Sequence, residues 1–541
     1  MNENNLSKFR IEPITNFSLI ENQKAMKDAI TKVKNKLNKE YFLIIGGKER
    51  GSGEIEPSVN PSNPSEVIGR VHFANREQAN EAIEIAAQAF EKWSRTPPKE
   101  RANCLKRCAE IMKSRKLELS AWMILECGKN WEEADADVCE AIDFLDYYAY
   151  ETMNLFEKKL LGHVPGETDH YFYEPRGVAA IISPWNFPLA ILTGMSSAAL
   201  VTGNTAVIKP SGQSSVIAAK LMEIYKEGGI PDGVVNYLPG RGSVIGDLIV
   251  THPKVAIIAF TGSVEVGSRI NKLASEVNVG DAYMRPHFVK KVITEMGGKN
   301  AIIIDSTADI DEAVKGVVIS AFGYQGQKCS ACSRVIVFEE VYEKFLNRLI
   351  NATKSIIIGR PEEPETFLGP LIDKSALENT KKYIDIGKKE ARLVLEMEVP
   401  KIGTEQCSVP TGYYIGPVIF ADVPPESRIA QEEIFAPVLS VIKVKDINEA
   451  LKVANSTRFA LTGGIFSRTP EHIELIKQEF KVGNLYINRK ITGAIVGRQP
   501  FGGFKLSGIG SKSGGYDYLQ QFMVPRTITE NTMRHGFAPI E

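Results

Sequence analysis

The sequence predicts an α/β protein with parallel β-sheet, and two observations support this fold class. Short, fully apolar runs recur through residues 178–260, with helical stretches between them. Apolar runs separated by helices are typical of parallel strands that are covered on both faces. The same alternation restarts at residues 301–304 and continues at 335–338, which indicates a second α/β unit. A chain of 541 residues is also too long for one core, so two or three structural units are expected.

The segments before these strands differ in pattern. Residues 1–40 are polar, look mostly helical and predict an arm on the main body. Turn signals between short apolar runs in residues 41–75 indicate strands and turns. In residues 76–149, apolar residues recur at helical spacing, so several long helices are expected. One such apolar face comprises Ala79, Ala82, Ile83, Ala86 and Phe90.

Composition excludes several classes of protein. A net charge of −1 gives no general attraction to nucleic acid or to an anionic membrane. The seven cysteines are odd in number and scattered. They therefore suit a reducing compartment, and we expect a cytoplasmic protein. The N-terminal residues lack the apolar core of a secretory signal.

One uncharged stretch, residues 177–208, is long enough to span a bilayer. Pro184, Pro188, Gly194 and Gly203 interrupt it, and Ser and Thr are frequent in it. We interpret it as strand, turn, helix, turn and strand inside a core, so no membrane span is expected.

The candidate chemistry involves three residues. Cys329 lies in the run GQKCSACSR, and a Cys thiolate is intrinsically nucleophilic. Glu295 follows an apolar run and could take a proton from water. Asn186 lies between prolines in PWNFP, and its amide could stabilise an oxyanion. Each residue alone is equally explained as a small core residue, a surface acid or a turn residue, but together they favour covalent catalysis by a thiol.

The spacing Cys329-x-x-Cys332 allows a second interpretation, a redox or zinc motif. Neither a second Cys pair nor a His pair at ligand spacing accompanies it. No metal site is therefore expected. A thiol redox or zinc protein stays as an alternative that predicts bound metal or a reversible disulfide.

A possible phosphate site follows the apolar run at 255–260. Gly262, Ser263 and Gly267 form a turn before a predicted helix, whose free N–H groups favour an anion. The run is not a G-x-G-x-x-G fingerprint, and Ser268 stands where a Walker A loop requires Lys. By itself it is best explained as an ordinary turn.

Taken in order, PWNFP, the KPS run that begins at Lys209, EMGGK and GQKCSACSR resemble the NAD(P)-dependent aldehyde dehydrogenase superfamily. The resemblance covers residues 41–526. It implies that Lys209 binds the adenosine ribose, that the Ser263 turn lies near the pyrophosphate, and that Glu433 and Phe435 hold the nicotinamide ribose and ring. The residues expected at the cofactor are Lys209, Ser211, Gly262, Ser263, Gly267, Glu433 and Phe435.

The resemblance also implies a mechanism and a cofactor. The Cys329 thiolate attacks an aldehyde, the thiohemiacetal loses hydride to the nicotinamide, and water activated by Glu295 releases the acid from the thioester. Many NAD-preferring members have Glu three residues after the Lys, where this chain has Gly212. NAD is the first choice, and NADP stays open.

The substrate prediction depends on further runs. The segments QKCSACSR, TGAIVG and QPFGGFKLSG resemble the branch that oxidises glutamate-γ-semialdehyde, the open form of 1-pyrroline-5-carboxylate, to glutamate. The backbone at Gly493 and Ala494, with the Ser330 hydroxyl, could hold the substrate carboxylate, and Glu140 the ammonium. Lys328 is also expected at the substrate and could assist Cys329 electrostatically. The alternatives are an aldehyde dehydrogenase of other specificity, such as for succinate semialdehyde, and a catalytically silent homologue.

The family resemblance further implies a homo-oligomer and a domain organisation. A parallel-sheet NAD(P)-binding domain and an α/β catalytic domain would be joined by a small β extension that links subunits. The expected boundaries are 1–40 for the arm, 41–150 and 175–297 for the NAD(P)-binding domain, 298–514 for the catalytic domain, and 151–174 with 515–541 for the oligomerisation extension.

Overall fold

The computed structural model describes residues 9–156, 159–162, 164–276, 289–400 and 412–533. Cys407 lies outside them. The α/β class predicted from the sequence is confirmed. The helices are α1 (Ile20–Lys34), α2 (Arg76–Trp93), α3 (Pro98–Ser114), α4 (Lys116–Cys127), α5 (Trp131–Leu155), α6 (Ala190–Val201), α7 (Ser215–Glu227), α8 (Asp247–Thr251), α9 (Val264–Ser275), α10 (Ile310–Phe322), α11 (Glu339–Lys354), α12 (Lys374–Glu390), α13 (Arg428–Gln431), α14 (Ile447–Asn455) and α15 (Pro470–Glu479).

The first large sheet has eight strands, and its five central strands are parallel. Ala179 and Ile181 pack into a core on one face, and Val178 and Ala180 into a core on the other. Both faces are therefore covered, as the apolar runs predicted. Its strands in spatial order are β22 (Gly508–Ile509), β12 (Lys291–Glu295), β11 (Val255–Thr261), β8 (Val178–Ile182), β9 (Thr205–Lys209), β10 (Val235–Tyr237), β2 (Leu43–Ile45) and β3 (Lys48–Arg50).

The second large sheet has seven strands, and all but one edge strand are parallel. Ile302 and Ile304 face one core, and Ala301 and Ile303 the other. This is the second α/β unit that the sequence indicated. Its strands in spatial order are β15 (Arg392–Glu396), β16 (Val418–Ala421), β17 (Val438–Val444), β14 (Cys332–Phe338), β13 (Asn300–Ile304), β19 (Thr462–Phe466) and β20 (Asn484–Ile487).

Three small sheets complete the fold. In one of them, β7 (Glu167–Pro175) pairs antiparallel with β23 (Met523–Asn531) along its length. The small sheets are β1 (Lys39–Tyr41), β5 (Asn63–Phe73) and β4 (Glu54–Asn60); β18 (Phe459–Ala460) and β21 (Phe504–Lys505); and β23 (Met523–Asn531), β7 (Glu167–Pro175) and β6 (Lys159–Leu160).

The N-terminal arm is less helical than predicted. Within its described part, helix begins only at Ile20, and the residues before it cross the surface of α5 without regular structure. The Glu12 N–H donates to Asp143 Oδ1, and the Thr15 N–H to Asp135 Oδ2, each at 2.7 Å. Acceptors on another helix satisfy these backbone groups, so the segment has no need of helical hydrogen bonds.

The uncharged stretch forms β8, a turn, α6 and β9, as interpreted from the sequence. Across the described ranges, none of the helices combines the length and the apolar character that crossing a membrane requires.

Candidate active site

The carboxyl ends of four parallel strands bring together residues from distant parts of the sequence. Strands β8, β9, β11 and β12 are hydrogen-bonded in parallel register. Asn186 follows the first, Lys209 ends the second, Ser263 follows the third, and Glu295 ends the fourth. Open α/β sheets bind ligands at this edge.

The loop that carries Cys329 has a strained entry. Tyr324 and Gln325 have φ of 48° and 56°, in the left-handed region that non-glycine residues avoid. The Tyr324 hydroxyl donates to the Cys127 carbonyl at 3.0 Å, and Gln325 Nε2 donates to the Pro370 carbonyl at 2.7 Å. These bonds to neighbouring segments hold the chain in a conformation that it would not adopt alone.

Cys329 and Glu295 line one cavity together with Glu140 and Ala494. The cavity has about 620 Å³ of empty space, counting its open mouth. The wall is otherwise mostly apolar, which strengthens the electrostatic interactions inside it. The other residues of the wall are Phe144, Ile191, Met195, Thr261, Met296, Ile495, Val496, Gln499, Phe501, Ser513 and Tyr518.

The environment of Cys329 opposes ionisation of its thiol. Burial, and then the carboxylates of Glu433 and Glu295, raise the pKa of Cys329 to about 12. We expected a site that favours the thiolate, with help from Lys328. Instead, Lys328 Nζ pairs with Glu133 Oε1 of α5 at 2.5 Å.

Glu295 lies against the glycine-rich segment that contains β21 and β22. A Cβ atom at Gly502 would lie 2.9 Å from Glu295 Oε1, so only glycine leaves room for this carboxylate. The Gly503 N–H is a hydrogen-bond donor to the carboxylate, while Oε2 is buried and has no partner in the described residues. Burial raises the pKa of Glu295 well above its usual value, so the side chain is a proton acceptor only after it has lost its own proton.

Asn186 contacts the nucleophile loop directly. Its side chain is buried, and Nδ2 donates to the Gln327 carbonyl at 3.0 Å. An amide nitrogen carries two hydrogens, so a second donor is left near Cys329. The structure therefore brings Asn186, Glu295 and the Cys329 loop together.

Glu433 and Phe435 line a small cavity together with residues of the Cys329 loop. Glu433 Oε1 accepts a hydrogen bond from the Gly298 N–H at 2.9 Å, and burial raises the pKa of Glu433 to about 7. Phe435 has φ of 60°, and its ring packs edge-on against Trp185 with centroids 5.6 Å apart. Trp185 precedes Asn186, so this contact ties the two loops together.

The other predicted cofactor residues lie further along the strand edge. Lys209 and Ser211 line a separate cleft of about 1090 Å³, and burial lowers the pKa of Lys209 to about 8. Ser263 is the N-cap of α9, and its Oγ accepts from the Val266 N–H at 3.3 Å. Gly262 and Gly267 flank this cap. A cation in a cleft and a helix N-terminus on the same edge fit the ribose and the phosphates of a dinucleotide.

The predicted substrate residues are only partly brought together. Glu140 and Ala494 are on the cavity wall, whereas Ser330 and Gly493 adjoin it through their chain neighbours. Gly493 has φ of 74°, which glycine tolerates. Burial, followed by Asp137 and Asp143, raises the pKa of Glu140 to about 8.

Sequence reasoning missed the rest of the wall. Gln499 and Phe501 lie two residues apart in one loop, whereas Phe144 comes from α5. Gln499 lies in the quoted run QPFGGFKLSG, and that run was the only signal that could have pointed to it. Its Oε1 is buried without a partner among the described residues.

The fold and the site define an enzyme with a thiol nucleophile beside a dinucleotide cleft. A family model of the aldehyde dehydrogenase family matches residues 48–528, and the chain belongs to this family.

Curated relatives and solved structures narrow the similarity. The chain is 48% identical to 1-pyrroline-5-carboxylate dehydrogenase of Geobacillus sp. (strain WCH70), over 96% of this chain and 99% of that one. It is 47% identical to 1-pyrroline-5-carboxylate dehydrogenase 2 of Bacillus subtilis (strain 168), with the same coverage. A crystal structure of the Thermus 1-pyrroline-5-carboxylate dehydrogenase with bound NAD superimposes with a TM-score of 0.92 at 45% identity, over 97% of this chain and 100% of that one.

Proline utilization A from Bdellovibrio bacteriovorus, inactivated by N-propargylglycine, superimposes with a TM-score of 0.94 at 48% identity. The match covers 99% of this chain but 54% of that longer protein.

Proposed function

We propose that the enzyme oxidises L-glutamate-γ-semialdehyde, the open form of 1-pyrroline-5-carboxylate, to L-glutamate with NAD, as the second step of proline breakdown. The observation that carries the proposal is the cavity that Cys329, Glu295 and Glu140 share. It combines a thiol, a base and, apart from them, a carboxylate suited to an ammonium. Relatives at 45–48% identity over nearly the whole chain support the same substrate.

The first half of the reaction belongs to Cys329. Its thiolate attacks the aldehyde carbon, and the carbonyl oxygen becomes an oxyanion. The free N–H of the Asn186 amide and the Cys329 backbone N–H stabilise that oxyanion, and one such donor is worth about 3–4 kcal/mol of the barrier. NAD, when bound, accepts the hydride, and Cys329 then carries a thioester.

The second half belongs to Glu295. The deprotonated carboxylate takes a proton from water, the hydroxide adds to the thioester carbon, and the C–S bond breaks to release the acid and the thiolate. Because Glu295 and Cys329 line the same cavity, the side chain needs only a local movement to reach that water.

The chain's own residues would hold the cofactor along the strand edge. We assign the adenosine ribose to Lys209 and Ser211, the phosphates to the Gly262, Ser263 and Gly267 turn, and the nicotinamide end to Glu433 and Phe435. NADP stays possible, because Gly212 brings no carboxylate against a 2′-phosphate.

We propose the same domain division as the sequence suggested, with a cytoplasmic homo-oligomer joined through residues 151–174 and 515–541. Two observations support this assembly. The two segments form one sheet through β7 and β23, and that sheet leaves Leu160 and Ile528 exposed.

The test follows NADH absorbance with 1-pyrroline-5-carboxylate, succinic semialdehyde and a short aliphatic aldehyde. Cys329→Ala is expected to abolish turnover of 1-pyrroline-5-carboxylate, the preferred substrate. Cys332→Ala is the matched control, because Cys332 is buried at the start of β14, directly after the Cys329 loop, and its thiol donates to the Arg334 carbonyl at 3.3 Å. Turnover of the other aldehydes alone would overturn the substrate, and loss in both variants would indicate a role for the Cys pair.

A further inference from the structure

Asn300 binds the Cys329 loop through its side-chain nitrogen and β19 through its side-chain oxygen. It is the first residue of β13 and is only 3% exposed. Its Nδ2 donates to the carbonyls of Cys329 and Ala331 at 2.8 and 2.9 Å. Its Oδ1 accepts from the Thr462 N–H at 2.9 Å. Both N–H groups of the amide and one lone pair of its oxygen are therefore used to join the Cys329 loop to the second sheet.

The carbonyl between these two is held in the same way. The Ser330 carbonyl accepts from the Thr462 hydroxyl at 3.3 Å. The backbone at Gly298 leaves room for this arrangement, since a Cβ atom there would lie 2.5 Å from the Cys329 carbonyl oxygen. Three consecutive carbonyls of the loop are thus bound by residues of β13 and β19.

The direction of a carbonyl sets the direction of the next N–H. In a trans peptide the C=O and the N–H point in opposite directions. The carbonyl of the Cys329–Ser330 peptide binds Asn300, and the N–H of the same peptide is a hydrogen-bond donor to the Cys329 sulfur. The two ends of one peptide therefore contact Asn300 and the nucleophile.

We propose that Asn300 is a positioning residue for Cys329, which fixes the Cys329–Ser330 peptide so that its N–H points at the nucleophilic sulfur. The proposal rests on the proposed function only for the role of Cys329. It assigns to Asn300 no contact with substrate or cofactor. Sequence reasoning passed over this residue, because its partners are distant in the chain.

The peptide N–H matters because the charged groups that act on the sulfur are mostly unfavourable. Glu433, Glu295 and Glu140 each raise the pKa of Cys329, and only the Ser330 N–H is a favourable influence of comparable rank. A hydrogen bond to the charged form of a group lowers the pKa of that group. Without this N–H, the pKa of Cys329 should therefore rise by about one unit, the lower end of what such a bond contributes.

The experiment measures alkylation of Cys329 by iodoacetamide from pH 6 to 10, read at that cysteine by peptide mass spectrometry. It needs neither aldehyde nor cofactor, so its outcome is independent of the substrate. Asn300→Asp keeps the shape and the acceptor for Thr462 but loses the donor, and Asn300→Ala loses both. Both variants are expected to shift the alkylation profile to higher pH by about one unit, a roughly tenfold slower reaction at pH 8.

The matched control is Asn204→Ala. Asn204 is a fully buried amide that also joins loops, accepting from the Arg176 and Gly177 N–H groups and donating to the Phe522 carbonyl. It should destabilise the protein without moving the profile of Cys329. A profile that is unchanged in Asn300→Asp, or shifted equally by Asn204→Ala, would overturn the proposal. If Asn300→Ala does not fold, Asn300→Asp and Thr462→Val decide the question in the same assay.

Discussion

At the scale of single residues, burial favours the protonated form of the acids at the site. The pKa of Glu295 is raised well above its usual value, that of Glu433 to about 7 and that of Glu140 to about 8, and burial is the first cause in each case. An acid that keeps its proton is uncharged, so it repels the thiolate of Cys329 less than an ionised carboxylate would. The cavity can therefore hold several acids beside a nucleophile.

Glu295→Gln is expected to separate the two halves of the reaction. Because the amide cannot take a proton from water, the thioester should accumulate after one NADH per active site, and steady-state turnover should fall about 10²–10⁴-fold. Stopped-flow absorbance would show a burst followed by a slow phase. A variant with neither burst nor turnover would place Glu295 in the first half instead.

The raised pKa of Glu295 also fixes the direction of a pH effect. An acid whose pKa is raised has less of its basic form at neutral pH, so deacylation should accelerate as pH rises, by up to about tenfold per unit below the pKa. Single-turnover decay of the thioester measures this step. In Glu295→Gln the same decay should lose most of its dependence on pH.

Glu140→Gln tests the recognition of an amino-acid aldehyde. Removing the charged partner of an ammonium costs about 2 kcal/mol of interaction. The value of kcat/KM for glutamate-γ-semialdehyde should therefore fall roughly thirtyfold. Succinic semialdehyde has no ammonium and should be affected far less. Equal losses on both substrates would mean that Glu140 supports the cavity wall rather than recognising the amino group.

These residues show where prediction from sequence ended. Cys329, Glu295 and Asn186 lie in short runs of consecutive residues, and such runs can be recognised directly in the sequence. Asn300 acts through Thr462 and the Cys329 loop, so only the pairing of β13 with β19 reveals it. The direction of Lys328 was not readable either, because Glu133, its partner, lies on another element.

At the scale of elements, the strands were predictable because burial on both faces makes them apolar throughout. The contacts that fix the ends of helices were less predictable from the sequence. Glu126, on α4, is fully buried and accepts from the Val216 and Ile217 N–H groups at 2.8 Å, at the first turn of α7. It also accepts from the Ser58 hydroxyl at 2.8 Å. One carboxylate thus caps a helix that begins a few residues after Lys209 and Ser211.

Glu126→Ala is expected to destabilise this element. Three buried donors would lose their acceptor, each costing about 1–3 kcal/mol, so the urea midpoint should fall clearly. Glu223→Ala, on α7, removes only the half-exposed partner of Lys220 and should cost at most about 1 kcal/mol. Equal midpoints for the two variants would contradict the capping role.

At the scale of the whole molecule, the two large sheets have different tasks. The eight-stranded sheet places Lys209, the Ser263 turn and Glu295 on one edge, and the seven-stranded sheet holds the Cys329 loop between β13, β14 and β19. The reaction requires both, because the nucleophile and its base belong to different sheets. The sequence runs that contain Cys329 and Glu295 were predictable, but the packing of the two sheets decides how close these two residues lie.

The last prediction concerns the small sheet of β23, β7 and β6, which we propose as the contact between subunits. Most of β23 is exposed, and Leu160, Val164 and Ile528 present apolar surface around it. A short antiparallel ribbon is marginal in water unless another surface covers it, and exposed apolar surface marks such contacts. Deleting residues 523–541 removes the strand that pairs with β7 along its length, so the proposed oligomer should dissociate to smaller species in light scattering. Arg526→Ala removes only an exposed ion pair with Glu174 and should leave the assembly intact. An unchanged mass after the deletion would mean that the subunits associate through another surface.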